Sequence, residues 1–258
     1  MPELPDLQVF SSNLDKTLAG KKIAKVIASG SRIKKSGKAI SDALEDQEIK
    51  KIYREGKELR FLFANKAILG MHLMLHGKLE LLEEKQKPKY AVLELRFKDG
   101  SGLALTDFQG MAHVSLNPAS PKAPDALSKK ITAAFLQEKL SGSRSSIKNF
   151  LIDQDMIQGI GNAYADEILW SARISPFSIC NKIPKPAITK LAASIRSVLT
   201  NAEKQIRKEN PEIIAGELRD FLKIHNPQLK ETATGFPILT EPSSGRKTYY
   251  SEEQKLYN

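Results

Sequence analysis

The chain reads as an α+β multidomain protein, and three observations carry that reading. Apolar residues recur at every second position through most of the first half. They recur at every third or fourth position through the second half, and a Pro-rich stretch separates the two patterns. Alternation with turn signals points to an antiparallel sandwich or barrel, and the second pattern to a helical domain.

A helix comes first. Leu7, Phe10, Leu14 and Leu18 share one face of an amphipathic segment starting near Pro5, and proline is well tolerated in a first helical turn. From Lys22 to about Leu116 the period is two. Leu59, Phe61 and Phe63 alternate with Arg60 and Leu62; Ala91, Leu93, Leu95 and Phe97 alternate with Val92, Glu94, Arg96 and Lys98. Asp99-Gly100 marks a tight hairpin before Leu103 and Leu105. Most of the basic residues Arg32, Lys34, Lys35, Lys38, Lys50, Lys51, Arg54 and Arg60 read as a solvated face. Lys57 differs, because it follows Gly56 just before a strand, where a loop presents it to a ligand.

Residues 117–128 are rich in Pro and small residues and read as a linker. Beyond them, Ile188, Leu191, Ile195, Leu199, Ala202 and Ile206 form one helical stripe, and Leu218, Phe221 and Leu222, with Ile214, suggest another. Between linker and stripes, Gly159 and Gly161 break the chain into a turn. Asn162 is the expected N-cap of a helix over Ala163–Ala172. Amides at such a helix start suit a phosphate, although a Gly-x-Gly-Asn turn also serves as a plain inter-helix connection. The tail places Ser243-Ser-Gly-Arg246 between two β-prone runs, a hairpin with Arg246 near its tip. The guanidinium suits bidentate contact with a phosphate. The expected divisions are 1–116, 117–128, 129–228 and 229–258.

Composition narrows the classes of function. Lys plus Arg is 40 against 30 for Asp plus Glu, a formal net charge of +10. That balance suits a polyanionic partner, nucleic acid or an anionic membrane. No apolar run approaches the ~18 residues of a spanning helix, and the N-terminus lacks a signal pattern. One cysteine, Cys180, excludes an internal disulfide and a multi-thiolate metal site; it reads as a packed, reduced thiol of a cytoplasmic protein. His72 and His76 stand four apart in a strand-like setting rather than on a helix, which suits packing better than metal binding.

The first residues, Met1-Pro2-Glu3-Leu4-Pro5-Asp6, carry the chemistry. An initiator methionine before a small residue is normally removed, leaving Pro2 as a secondary amine. An α-amino group has an ordinary pKa of about 8, so a useful fraction is neutral and nucleophilic. The positive end of the helix dipole further disfavours its protonation. With Glu3 beside it, this is the minimum kit for Schiff-base chemistry on a sugar or carbonyl carbon. The alternative is that Pro2 and Pro5 only stiffen the start of the helix.

Four motifs fall in order: the Met-Pro-Glu-Leu-Pro start, Lys57, the Gly159-Ile-Gly-Asn-Ala-Tyr turn and the Arg246 hairpin. Through them the chain resembles the formamidopyrimidine-DNA glycosylase/endonuclease VIII family from Met1 to about Gln254. The resemblance implies an N-terminal β-sandwich headed by the catalytic helix, a helix–two-turn–helix domain and a C-terminal finger hairpin, with DNA between domains. It implies Pro2 as the nucleophile at C1′ of a flipped damaged nucleoside, Glu3 as the proton-transfer group, and Lys57, Asn162 and Arg246 on the flanking phosphates. The partner is then double-stranded DNA with a damaged base or abasic site, met by a monomer in a bacterial cytoplasm.

Departures accompany the resemblance. The family's four zinc-binding cysteines align with Glu231, Thr234, Ser251 and Gln254, so neither metal nor cofactor is expected. Phe236, Ile238, Leu239 and Tyr249 would pack the finger instead. The intercalating methionine aligns with Leu75, beside Met74. The Arg and Phe over the opposite strand align with Gln109 and Met111, and a frequent lysine with Asp155. These changes leave two readings: a base-excision glycosylase and abasic-site lyase of divergent specificity, or a non-catalytic DNA-binding protein on the same scaffold.

Overall fold

The structure is a computed structural model, which describes residues 1–29, 33 and 37–258. Arg32, Lys34 and Lys35 of the expected basic face lie outside the described residues. The chain divides into two compact units, Met1–Ser120 with Ile206–Glu217, and Pro121–Gln205 with Leu218–Asn258.

The first unit begins with α1 (Leu4–Leu18), which has Pro5 in its first turn. Leu7, Phe10, Leu14 and Leu18 are all buried, the face the spacing predicts. Burying each contributes roughly 1.5–3 kcal/mol. The helix lies on β2 (Ile49–Glu55) and β3 (Glu58–Phe63). Asp15 accepts the Ile52 N–H at 2.6 Å, and Gln8 Oε1 accepts Arg54 Nε at 3.1 Å.

Two four-stranded antiparallel sheets form the sandwich. One runs β2–β3–β4–β8, with β4 at Ile68–His72 and β8 at His113–Leu116. The other runs β1–β6–β7–β5, built from Ile23–Ala28, Ala91–Phe97, Gly102–Thr106 and Lys78–Leu82. The Asp99-Gly100 hairpin forms with Gly100 at φ +88°. A helix that strand periodicity does not announce, α2 (Gly37–Leu44), buries Ile40 and Leu44. Its apolar residues are four apart inside a region otherwise of period two, too short a signal to stand out.

Arg60 is not part of a solvated face. It is 3% exposed, pairs with Glu55 and Glu58, and donates to the Ala119 carbonyl at 2.9 Å. A buried guanidinium needs such partners, because desolvation of an unpaired charge is expensive.

The second unit contains α3 (Ala133–Ser141), α4 (Ile147–Ile152), α5 (Asn162–Ala172) and most of α6 (Lys185–Glu209). All six residues of the expected α6 stripe are buried. The second stripe is not a helix: 211–224 is turn and coil, and only part of it is covered. Glu167 organises that coil instead, accepting the N–H groups of Lys223, Ile224 and His225 at 2.8–3.1 Å. Burial pushes this carboxyl up, and the three amides offset part of that.

The hairpin of β9 (Leu239–Ser243) and β10 (Arg246–Tyr250) belongs to this second unit. Ser244 at φ +49° and Gly245 at φ +73° form its turn, the left-handed pair that two-residue hairpins favour. Tyr249 and Ile238 pack on Trp170 and Ile224, as the sequence leads one to expect of both, but Phe236 is exposed. A buried ion pair completes the anchorage. Lys148 Nζ lies 2.7 Å from Asp166 Oδ1 and donates to Thr248 Oγ1 at 2.8 Å. Asp166 Oδ2 accepts the Tyr249 N–H at 3.0 Å and meets His225 Nδ1 at 2.7 Å. Lys148→Met should cost about 3–5 kcal/mol, since Asp166 would remain charged and buried without its cation. Lys148→Met with Asp166→Asn should cost less than Lys148→Met alone. Denaturant unfolding of both variants measures the difference.

Candidate functional site

The first unit presents its N-terminus at the start of α1. Glu3 is the N-cap residue, 4% exposed, and its N–H donates to Asp6 at 2.8 Å. Leu7 N–H returns to the Glu3 carbonyl at 3.0 Å. These bonds fix the backbone immediately after Pro2, which is itself buried.

Lys57 occupies the two-residue turn between β2 and β3, half-buried. Gly56 precedes it at φ +58°, where a larger residue would be strained. Arg54 secures the turn by donating to the Gly56 carbonyl at 2.9 Å. Lys57 therefore stands in the turn between the two strands, at the loop–strand junction the sequence indicates.

Leu75 tips the β4–β5 loop, 54% exposed. The loop is closed by Gly77 N–H donating to the Leu73 carbonyl at 2.8 Å. A Cβ on Gly77 would lie 2.2 Å from that oxygen, so only glycine fits. Met74 is the residue at φ +54°, and His72 Nδ1 accepts its N–H at 3.1 Å. The His72 and His113 rings stack at 5.3 Å, the packing use expected of His72.

Alignment of family positions missed one residue. Phe108 is 61% exposed, the most exposed Phe among the large apolar residues of the surface. Its ring meets His76, next to Leu75, at 4.8 Å. The two loops thus offer Leu75 and Phe108 together. Asp107 shapes the second loop by accepting the N–H groups of Gln109, Met111 and Ala112 at 2.7–2.9 Å. Burial would raise this carboxyl, but the three amides and His76 hold it below the ordinary carboxylate range. The sequence offered only a weak signal, a Phe set between Asp107 and Gln109-Gly110 in a turn-prone stretch; its exposure became visible only in the structure.

In the second unit the turn before α5 is stitched by Gln154. Its amide donates to the Ile152 and Ile160 carbonyls at 2.7 and 2.9 Å and its oxygen accepts the Gly159 N–H at 2.9 Å. Gly159 sits at φ +98°. The N-cap is Gly161 rather than Asn162, which is the first helical residue. Asn162 instead turns its side chain to the hairpin and donates to the Lys247 carbonyl at 2.9 Å. Asn149 likewise donates to Ser244 Oγ at 2.9 Å. These two amides locate the hairpin tip, where Arg246 is exposed. Asp155 is exposed on the turn.

The aligned zinc positions do not fit a metal. Thr234 and Ser251 direct their hydroxyls to the Glu253 carboxylate at 2.5 and 3.0 Å, joined by Trp170 Nε1 at 3.0 Å and Arg173 at 2.7 Å. Gln254 spends its amide on Ser251 N–H and the Ile174 carbonyl, both at 2.9 Å. Among the described residues, no group of three His, Cys, Asp or Glu could hold a metal ion. Cys180 is buried, and burial pushes its thiol up.

A helix-headed β-sandwich together with a helical module bearing an arginine-tipped hairpin defines the helix–two-turn–helix class of DNA glycosylases. Residues 1–114 match the family described as Formamidopyrimidine-DNA glycosylase N-terminal domain, and residues 123–210 the Formamidopyrimidine-DNA glycosylase H2TH domain. The chain is 30% identical over 216 residues to the formamidopyrimidine-DNA glycosylase of Lactobacillus johnsonii, covering 80% of this chain and 78% of the relative. It is 30% identical over 271 residues to that of Carboxydothermus hydrogenoformans, covering 97% and 98%. A point mutant of the Lactococcus lactis FPG solved with Fapy-dG containing DNA superposes with a TM-score of 0.88 at 25% identity, over 98% of this chain and 100% of that one. MutM solved with carbocyclic 8-oxo-G containing DNA gives 0.89 at 25% identity and the same coverage. The chain belongs to the formamidopyrimidine-DNA glycosylase family.

Glu253 supplies a pH test of the hairpin. Burial would raise its carboxyl, but donors from Thr234, Trp170, Thr232 and Ser251 lower it from 4.5 to about 2. A depressed carboxylate stabilises the folded hairpin at every pH above its unfolded value of about 4.3, and the contribution fades as pH falls toward the folded value. Trp170 is the sole tryptophan. Its fluorescence should report loosening of the hairpin between about pH 4.3 and 2, and Glu253→Gln should lose that transition.

Proposed function

We propose that the protein is a base-excision DNA repair enzyme, a DNA glycosylase and abasic-site lyase acting on oxidised bases through a Schiff base at Pro2. The observation that carries this reading is the start of α1, where Glu3 and Asp6 hold the backbone beside the nitrogen of residue 2. Family membership and the DNA complexes of its relatives support the substrate class.

The chemistry follows from the groups present. With Met1 removed, the Pro2 lone pair attacks C1′ and the damaged base departs with the electrons of the glycosidic bond and, through solvent, the proton released by the nitrogen. Glu3 delivers a proton to the ring oxygen as the sugar opens, leaving an iminium. Loss of a proton from C2′ then expels the 3′ phosphate. In the first unit Lys57 contacts a flanking phosphate; in the second Asn162 and Arg246 do the same. Asn162 does so from the first turn of α5, where helix amides and dipole favour an anion. Such contacts carry affinity rather than sequence information and offset the cost of unstacking a base. Leu75 and Phe108 form the wedge that fills the vacated stack. The divisions 1–116, 129–228 and 229–258 then correspond to chemistry, helical DNA binding and the finger, with 117–128 joining them, except that Ile206–Glu217 belongs to the first unit. Among the described residues no helix is long and apolar enough to cross a membrane, and we infer a cytoplasmic, nucleoid-associated monomer.

Borohydride trapping on a duplex with an abasic site tests the reading. The processed protein should give a covalent adduct. A form retaining any residue ahead of Pro2 should bind the duplex with similar affinity and give none, because an amide nitrogen has no usable lone pair. Tight binding without an adduct by the processed protein would instead identify a non-catalytic DNA-binding protein, the reading that Gln109 and Asp155 favour. Leu75→Ala with Phe108→Ala should slow excision of a damaged base by about tenfold, a barrier change of about 1.4 kcal/mol. It should slow cleavage at a preformed abasic site less, since less unstacking is then required; single-turnover rates on the two duplexes make the comparison.

A further inference from the structure

The Met1 ammonium is paired with Glu217, a residue more than two hundred positions away and absent from the Pro2–Glu3 kit. Both partners are largely covered, with side-chain exposures of 29% and 30%. The placement is built. Segment Ile206–Glu217 belongs to the first unit and lies along α1. Asn13, 7% exposed, donates to the Ile213 carbonyl at 2.9 Å, and Arg207 donates to Ser12 Oγ at 3.4 Å. Ile206 and Ile213 are themselves buried. The segment therefore ends with a carboxylate held at the chain's first nitrogen.

We propose that Glu217 is the counter-ion of the Pro2 nitrogen during the reaction; this rests on the reading of Pro2 as nucleophile. Removal of Met1 transfers the terminal positive charge to Pro2 N. Consecutive backbone nitrogens lie about 3–3.7 Å apart, so the carboxylate remains within reach of the new terminus. The other charged groups around it are already engaged: Asp6 accepts the Glu3 N–H, and Arg207 donates to Ser12. Glu3 is the proton-transfer group.

The need for a counter-ion comes from proline itself. When the amine forms its bond to C1′, the base leaves with the glycosidic electron pair, and the N–H proton of the now four-bonded nitrogen passes through solvent to the departing base, which restores the nitrogen lone pair. The C1′–O4′ bond then breaks, its electrons and the proton from Glu3 going to oxygen, and nitrogen shares its lone pair with C1′. A primary amine would give an imine that sheds its charge by losing a proton. A secondary amine has no proton left to lose, so the intermediate stays cationic until hydrolysis. A fixed carboxylate within about 4–6 Å favours the charged form. Glu217 thus holds the nitrogen in place and, once the neutral amine has attacked, stabilises the iminium.

The test uses processed protein, with methionine removal verified by intact mass, and compares wild type, Glu217→Gln and Glu217→Asp. Single-turnover borohydride trapping on abasic duplex gives the rate, and titration of a tetrahydrofuran-containing duplex gives the affinity. At a pH high enough for the amine to be already neutral, Glu217→Gln should trap about tenfold more slowly, as expected for loss of one fixed counter-charge beside the developing cation. Its affinity should stay within about twofold, and Glu217→Asp should recover most of the rate; neutral and anionic replacements of a purely structural carboxylate would not separate in this way. Trapping by Glu217→Gln at the wild-type rate overturns the proposal. So does an equal loss of rate and affinity in both variants, which would make Glu217 a packing residue of its segment. A wild type that gives no adduct overturns the Pro2 reading as well, and is distinguished by appearing before any substitution.

Discussion

The second unit depends on one buried carboxylate. Asp166, fully covered on α5, binds Lys148 of α4, the Tyr249 amide of β10 and the His225 ring. An ion pair in a low-dielectric interior is stabilising only when its remaining hydrogen-bonding capacity is used. Here it is used across three segments, and a charge that must keep all its partners ties those segments to a single arrangement. The hairpin that carries Arg246 is positioned by that requirement, with Asn162 and Asn149 fixing its tip.

The same device recurs where the chain lacks enough apolar surface to hold a shape. Asp107 gathers three amides and so exposes Phe108. Glu167 gathers three more and orders a coil that has no helix to support it. Glu253 collects two hydroxyls, an indole and a guanidinium in a finger whose aligned zinc positions lack thiolates. A carboxylate accepts through two oxygens and about four lone-pair directions, so it can replace a tetrahedral metal as a junction of short loops. Unlike a metal, it needs no deprotonated sulfur, and it fails only in acid.

The first unit solves a different problem. On the proposed chemistry, its helix must begin at a nitrogen that is free to react once Met1 is gone and fixed enough to aim. Capping through Glu3 and Asp6 fixes it locally, and a segment from the far end of the sequence supplies Glu217. The kinetic gain from such preorganisation comes from groups already in place when charge develops.

The sequence by itself determined much of this protein. Periodicity located α1 and α6, alternation located the strands, and Gly56, Gly100, Gly159 and Gly245 marked turns because glycine adopts their φ values of +58° to +98° without strain. The turns at Gly56-Lys57 and Ser244-Gly245 were legible because the residues that shape them adjoin them in sequence. Tertiary structure decided the rest. The stripe over Leu218–Leu222 looked helical, but Glu167 captures the adjacent Lys223–His225 amides and the segment remains coil. Arg60 looked solvated, but Glu55, Glu58 and the Ala119 carbonyl draw it inside. Phe108, Glu217 and Glu253 carry no local signature strong enough to place them. Their surroundings come from residues tens to hundreds of positions away, and periodicity records which face a residue takes, not which distant charge or ring will meet it there.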